Sequence, residues 1–161
     1  MSILIGLLTA TAASAAPQPS KLSVYKDWVV GCDNGGVCQA ISLVPENGAT
    51  SYDGWDGPLS VTRDPSLNDV LKVSVYVDAV GADRYSMLVD GKLVDTGPIA
   101  KGDTPIEIVG EDAKKVAAAI ARGIQLDIKG PSGEHLTRIS LAESAAALRK
   151  MDTAQKRAGT S

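Results

Sequence analysis

Cys32 and Cys38 are the residues whose type and spacing point most directly to chemistry in this 161-residue chain. A redox pair takes the form Cys-x-x-Cys ahead of a helix, and the flanks of Cys32-Asp-Asn-Gly-Gly-Val-Cys38 read as strands. A thiolate metal site needs more ligands, and the chain adds a single histidine, His135. Behind an export leader, Cys-x5-Cys reads as a disulfide stapling a hairpin. On the loop-entropy account such a link stabilises by about 2–2.5 kcal/mol, less any strain.

His135 is the one imidazole available to a Ser-His-Asp arrangement. It follows the turn Gly130-Pro131-Ser132-Gly133, and the chain carries no Gly-x-Ser-x-Gly elbow to present a nucleophile. A solvent-facing histidine beside a turn is the reading adopted. The stretch Tyr52-Asp53-Gly54-Trp55-Asp56-Gly57 offers acidic oxygens short of a calcium ligand set. Its Tyr52 and Trp55 are a possible contact surface, since aromatic loop residues often anchor interfaces, although core packing is the commoner use. The scattered carboxylates define no glycosidase pair, and the glycines at 31–36 lead into a strand rather than a phosphate-binding helix. No catalytic residue, metal or cofactor is assigned.

The elements that must position these residues follow an export leader. Ile3 to Leu8 is a short apolar core, and Ala13-Ser14-Ala15 fits the small-x-small rule for cleavage, so 1–16 reads as a signal peptide. No Lys or Arg precedes that core, whereas such leaders open on a positive region. Residues 17–21 read as a tether, and 22–161 as a single β-rich domain large enough for its own core. No later segment is apolar enough to span a membrane. The 16 basic and 19 acidic residues give a net charge of −3 without blocks of one sign, which argues against a nucleic-acid surface. With no Phe, two Trp and four Tyr, the core rests on Val, Leu, Ile and Ala.

Period-two alternation predicts strands over 22–31, 37–44, 58–63, 70–78, 85–89, 92–96, 105–109, 124–129 and 135–139. In the first, Leu22, Val24, Trp28 and Val30 are expected to share a face. Between 70 and 78, Val73, Val75 and Val77 face one way, and Lys72, Ser74 and Tyr76 the other. Asp33-Asn34-Gly35-Gly36 and Asp90-Gly91 read as hairpin turns. A helix over 111–122 carries Ala113, Val116, Ala117 and Ile120 on one stripe, with Gly123 as its C-cap. A second helix is predicted to start at Ser140, where Ser140-Leu141-Ala142-Glu143 forms a capping box, and to run toward Arg157. The fold class is mainly β (α+β): an antiparallel β-sandwich or curled sheet of about eight strands, with two helices in the C-terminal half.

Tyr25-Lys26-Asp27-Trp28-Val29-Val30-Gly31-Cys32-Asp33-Asn34, followed by Cys38-Gln39-Ala40, resembles the opening signature of a proteobacterial periplasmic family known as domain of unknown function 1176. Ile139-Ser140-Leu141-Ala142, Ala145-Ala146-Ala147-Leu148, Met151-Asp152 and 155–160 are similar to its second block. The Ser-Leu and Ala-rich helix has a more distant resemblance to the invasion-associated locus B family. The resemblance implies export and a cysteine pair, and supplies no catalytic residues. Members of the family usually continue for about as many residues again, so the chain reads as the N-terminal half of a longer protein.

The function expected from these residues is a non-enzymatic binding or interaction module of the periplasm or cell envelope, with an envelope or protein partner and an unassigned oligomeric state. The alternatives are an envelope hydrolase using Ser, Asp and His135, and a small secreted enzyme inhibitor presenting Tyr52 and Trp55.

Overall fold

A computed structural model describes residues 21–44, 59–65, 70–77, 81–102 and 105–157. The leader, most of the tether, and the loop bearing Tyr52 and Trp55 lie outside these residues.

The described residues form ten strands and two helices: β1 (Ser23–Tyr25), β2 (Trp28–Cys32), β3 (Cys38–Ser42), β4 (Leu59–Asp64), β5 (Val70–Val75), β6 (Arg84–Val89), β7 (Lys92–Pro98), β8 (Ile106–Val109), α1 (Gly110–Ile120), β9 (Gln125–Lys129), β10 (His135–Ser140) and α2 (Ser144–Ala154). One sheet has six strands in the order β1-β2-β3-β4-β5-β8, and the other has four in the order β10-β9-β6-β7. Every pairing is antiparallel. Neither sheet closes into a barrel. The mainly-β architecture with two late helices is the one the alternation implied.

The first predicted strand divides in two. Lys26 takes a positive φ of 40° and the chain reverses at Lys26–Asp27, pairing Tyr25 with Trp28. Val24 then lies opposite Val29, whereas Trp28 and Val30 point to the other side. Trp28 and Val30 are therefore core residues, and Leu22 and Val24 remain about two-thirds exposed. The expected shared face fails because reversal restarts the alternation. The strand predicted over 70–78 is observed over Val70–Val75, and its alternation holds through Val77: Val73 and Val75 are fully buried, Val77 packs against the core, and Tyr76 is exposed.

One apolar core unites both sheets and both helices. Trp28, Val30, Ala40, Leu59, Val61, Leu71 and Val73 come from the larger sheet, and Met87, Leu126 and Ile128 from the smaller. Ala113, Val116, Ala117 and Ile120 of α1 join them, the stripe predicted for that helix. Helix α1 packs on β5, β7 and β8, and α2 on β1, β2 and β3. Burying Leu148 and Met151 beside Trp28 places α2 on the inner face of the larger sheet. Each fully buried side chain of that size contributes about 1.5–3 kcal/mol.

Two helix-end expectations are corrected. Ser140 is the last residue of β10, its hydroxyl donates to Asp27 Oδ2, and α2 begins only at Ser144. No capping box forms: Glu143 sits at φ +66° and no side chain caps the helix. Gly123 is not a left-handed C-cap; the cap position is Ala121, with φ −61°. Gly123 is required by proximity instead, because a Cβ there would lie 2.3 Å from Val89 Cγ1 and 2.9 Å from Leu141 Cδ1. Asp90 and Gly91, by contrast, both adopt positive φ, as a two-residue hairpin turn demands. The Asp90 carboxylate reaches beyond its turn to accept the Ile124 and Gln125 N–H groups, fastening the hairpin tip to the start of β9.

Candidate functional site: the open face of the six-stranded sheet

With both helices on its inner side, the larger sheet presents an outer face bearing a trough of about 670 Å3. That volume falls in the roughly 300–1,000 Å3 range of small-molecule sites. Register sets the lining. One row crosses the sheet through Val24, Val29, Ile41, Ser60, Ser74 and Glu107, each opposite the next. The adjacent row runs through Gly31, Gln39, Thr62, Lys72 and Val109. The trough is thus apolar where Leu22, Val29, Gly31 and Ile41 line it, and polar from Gln39 of β3 across β4, β5 and β8. Tyr76, 47% exposed, lies at its margin with Pro105.

The polar half is locally neutral. Lys72 Nζ lies 2.9 Å from Glu107 Oε1, with both side chains nearly half exposed. A pair so solvated contributes about 0–1 kcal/mol, so it sets the chemistry of the surface more than the stability of the sheet. Ser74 at the floor is almost fully buried, and Ser60 and Thr62 are half-buried. These hydroxyls can both donate and accept.

The cysteine staple closes one end of this trough. Cys32 and Cys38 form a disulfide of 2.02 Å between directly paired positions of β2 and β3. Cys38 is buried in the core, while Cys32 lines the trough with Asp33 and Val37. Asp33 Oδ1 accepts the Val37 N–H at 2.9 Å, and the Asp33 N–H donates to the Val37 carbonyl at 2.9 Å. Gly36 supplies a positive φ of 83°. The Gln155 side-chain amide, just past α2, donates to the Gly36 carbonyl at 2.7 Å and to the Arg63 carbonyl at 3.1 Å. The C-terminal helix thereby holds the stapled turn in place.

His135 lies elsewhere, on the smaller sheet. Its Nδ1 is 3.7 Å from Asp127 Oδ1. That carboxylate already accepts Arg138 Nε at 2.7 Å and Gln125 Nε2 at 2.9 Å. Burial pushes the Asp127 pKa up, but the Arg138 and Gln125 hydrogen bonds and the Arg138 and His135 charges outweigh it and hold it below the ordinary value. The arrangement is that of a charge network bracing β9 and β10. Tyr85 is perturbed as well. Burial, then the hydrogen bond it donates to Asp95 and that carboxylate's charge, raise its phenol well above the ordinary value. Its ring also occupies the space a side chain at Gly97 would need, with a Cβ there 3.1 Å from the ring.

Among the predicted site residues, the structure joins Cys32 and Cys38 and sets His135 apart from the trough. Tyr52 and Trp55 lie outside the described residues. Gln39, Thr62 and Glu107 were not singled out by sequence. The available signal was the polar half of each alternation, which marks a wet face without saying which strands bring such faces together.

The two blocks carrying the family resemblance meet in space. Asp27 accepts the Ser140 hydroxyl across 113 residues, and Gln155 grips the turn between the cysteines. No curated protein matches the chain. Among solved structures, invasion associated protein B from Bartonella henselae matches with a TM-score of 0.55 at 17% identity, over 86% of this chain and 100% of that one. This likeness is one of fold. Residues 22–161 match the family described as "Protein of unknown function (DUF1176)", which spans both blocks and everything between them, and the chain belongs to that family.

Proposed function

We propose that the protein is an exported, non-enzymatic binding module of the periplasm, engaging a ligand or envelope partner on the open face of its six-stranded sheet. The observation that carries this reading is the trough itself. Four strands direct hydroxyls, an amide and a neutralised ion pair to a face that neither helix covers. Shallow, preformed sites with a few convergent polar groups suit recognition. The disulfide supports an oxidising compartment.

A substitution that fills the trough tests this reading. Thr62→Trp projects an indole over the floor from an outward-facing strand position, so the core is untouched. Binding of material recovered from periplasmic extract, or a ligand-induced rise in melting temperature, should be lost in the variant while its own fold persists. Unchanged binding in a folded Thr62→Trp protein would refute this face as the site. Location is tested separately by fractionating cells: both cysteines oxidised in the periplasmic fraction is the expected result, and a cytoplasmic pool with free thiols is the contrary one.

A further inference from the structure

We infer that the trough binds a neutral, hydroxyl-rich ligand, specifically an uncharged oligosaccharide laid across strands β3, β4, β5 and β8. This inference rests on the reading of that face as a binding site and adds the chemical class of its occupant.

Charge is the first argument. Lys72 and Glu107 are the cation and anion of the polar half, and they neutralise each other at 2.9 Å. An anionic ligand drawn by Lys72 would meet Glu107 and Asp33, and a cationic one drawn by those carboxylates would meet Lys72 and have to break its pair with Glu107. A ligand without charge displaces neither partner and finds donors on one and acceptors on the other.

The second argument is spacing. Neighbouring strands stand about 4.8 Å apart, so Gln39, Thr62 and Lys72, paired in one row, present polar ends at a regular pitch. A chain of pyranose rings carries hydroxyls and ring oxygens at a comparable repeat. Because the groups stand on paired strands, little ordering entropy is spent on aligning them.

The apolar surface supplies the third. Tyr76 is 47% exposed beside the polar rows, and an exposed aromatic ring is the kind of surface on which the C–H side of a sugar packs. An acyl chain would be poorly served here: the trough is open to solvent, and hydroxyls, an amide and an ion pair occupy its other half. Covering Ser60, Thr62 and Gln39 with hydrocarbon would strip them of water without replacing their hydrogen bonds, which is unfavourable.

The experiment uses the full mature chain with its disulfide intact. Three series of probes are titrated in amide NMR and calorimetry: uncharged 1,4-linked N-acetylglucosamine, glucose and maltose oligomers; an anionic uronic-acid oligomer; and palmitate. The expected result is saturable binding of at least one uncharged series, with shifts at Gln39, Thr62, Lys72 and Tyr76, and affinity little changed by salt because no charge is neutralised. Tyr76→Ala should weaken that binding about five- to tenfold. Tyr76→Phe, which keeps the ring, should restore most of it. Shifts on this face from palmitate or the uronic-acid oligomer, without any from the uncharged series, would overturn the oligosaccharide inference and leave the face as a binding site. Silence from all three probes would also overturn it. A folded Thr62→Trp protein that still recovers its periplasmic partner is the separate outcome that removes the site itself.

Discussion

Arg63 Nη1 lies 3.2 Å from Asp152 Oδ1 across 89 residues of sequence, with both side chains more than nine-tenths buried. Arg63 occupies an inward position on β4 in line with Leu59 and Val61, and Asp152 lies on the inner side of α2 beside Met151. The pair fixes where the last helix docks on the sheet. The same helix end, through Gln155, holds the turn between the two cysteines. Two charges buried together hold register well and stabilise little, because desolvation offsets much of their attraction.

Removing one member should therefore be worse than removing both. Asp152→Ala is expected to cost about 3–5 kcal/mol, because a buried guanidinium loses the Asp152 carboxylate that it contacts. Arg63→Met with Asp152→Leu should recover most of that loss. Urea unfolding of the single and double variants decides the matter. A cost for Asp152→Ala under about 1 kcal/mol would show that the pair is not buried in solution.

The cysteine staple makes a smaller, separable contribution. Replacing Cys32 and Cys38 together by Ala should lower unfolding free energy by about 2 kcal/mol, the loop-closure value for so short a ring. Asp33 still fastens the turn through its two bonds to Val37, so the variant should remain folded. Guanidinium melts of the oxidised, reduced and doubly substituted proteins check this, and coincident curves would contradict it.

Two glycines should fail for different reasons. Gly123→Ala places a methyl 2.3 Å from Val89 Cγ1 and should cost about 1–3 kcal/mol by overpacking. Shortening the neighbour with Val89→Ala should return part of the loss. Gly91→Ala meets nothing within 4 Å, but its φ of +78° penalises any side chain by about 1–2 kcal/mol. Val89→Ala should not rescue that variant. Thermal melts of the four proteins separate a steric cause from a backbone cause.

Stability should fall at both extremes of pH, each limb having a named source. Asp127 holds its proton less tightly in the fold than in the unfolded chain. Its contribution is thus present above the ordinary carboxylate range and is lost as pH drops through that range and below it. Tyr85 is held protonated in the fold. Its contribution is complete below the ordinary phenol pKa of about 10 and declines as pH rises beyond that value. Asp127→Asn should flatten the acid limb of a stability profile, and Tyr85→Phe the alkaline limb. An alkaline limb unchanged in Tyr85→Phe would refute the second assignment.

Local physics makes much of this molecule legible in its sequence. Asp90-Gly91 announces its turn because few residue pairs tolerate two successive positive φ values. The α1 stripe is visible because Ala113, Val116, Ala117 and Ile120 recur at helical spacing, and the Cys32–Cys38 link because the chain's two cysteines stand six positions apart. Ser140 shows where such reasoning stops. Its neighbours spell a capping box, yet β9 takes its backbone into a strand and Asp27 takes its hydroxyl. Gly123 stops it too, since the crowding by Val89 and Leu141 arises only once distant segments meet.

The candidate site divides along the same line. Alternation alone places Lys72, Ser74 and Tyr76 on a wet face, because side chains on a strand point to opposite sides in turn. That this face adjoins those of Gln39, Thr62 and Glu107, and that both helices pack behind it, depends on which strands pair and where Arg63 meets Asp152. Pairing and docking are contests among segments far apart in the chain, settled by burial summed over the whole core, and no window of sequence contains that sum.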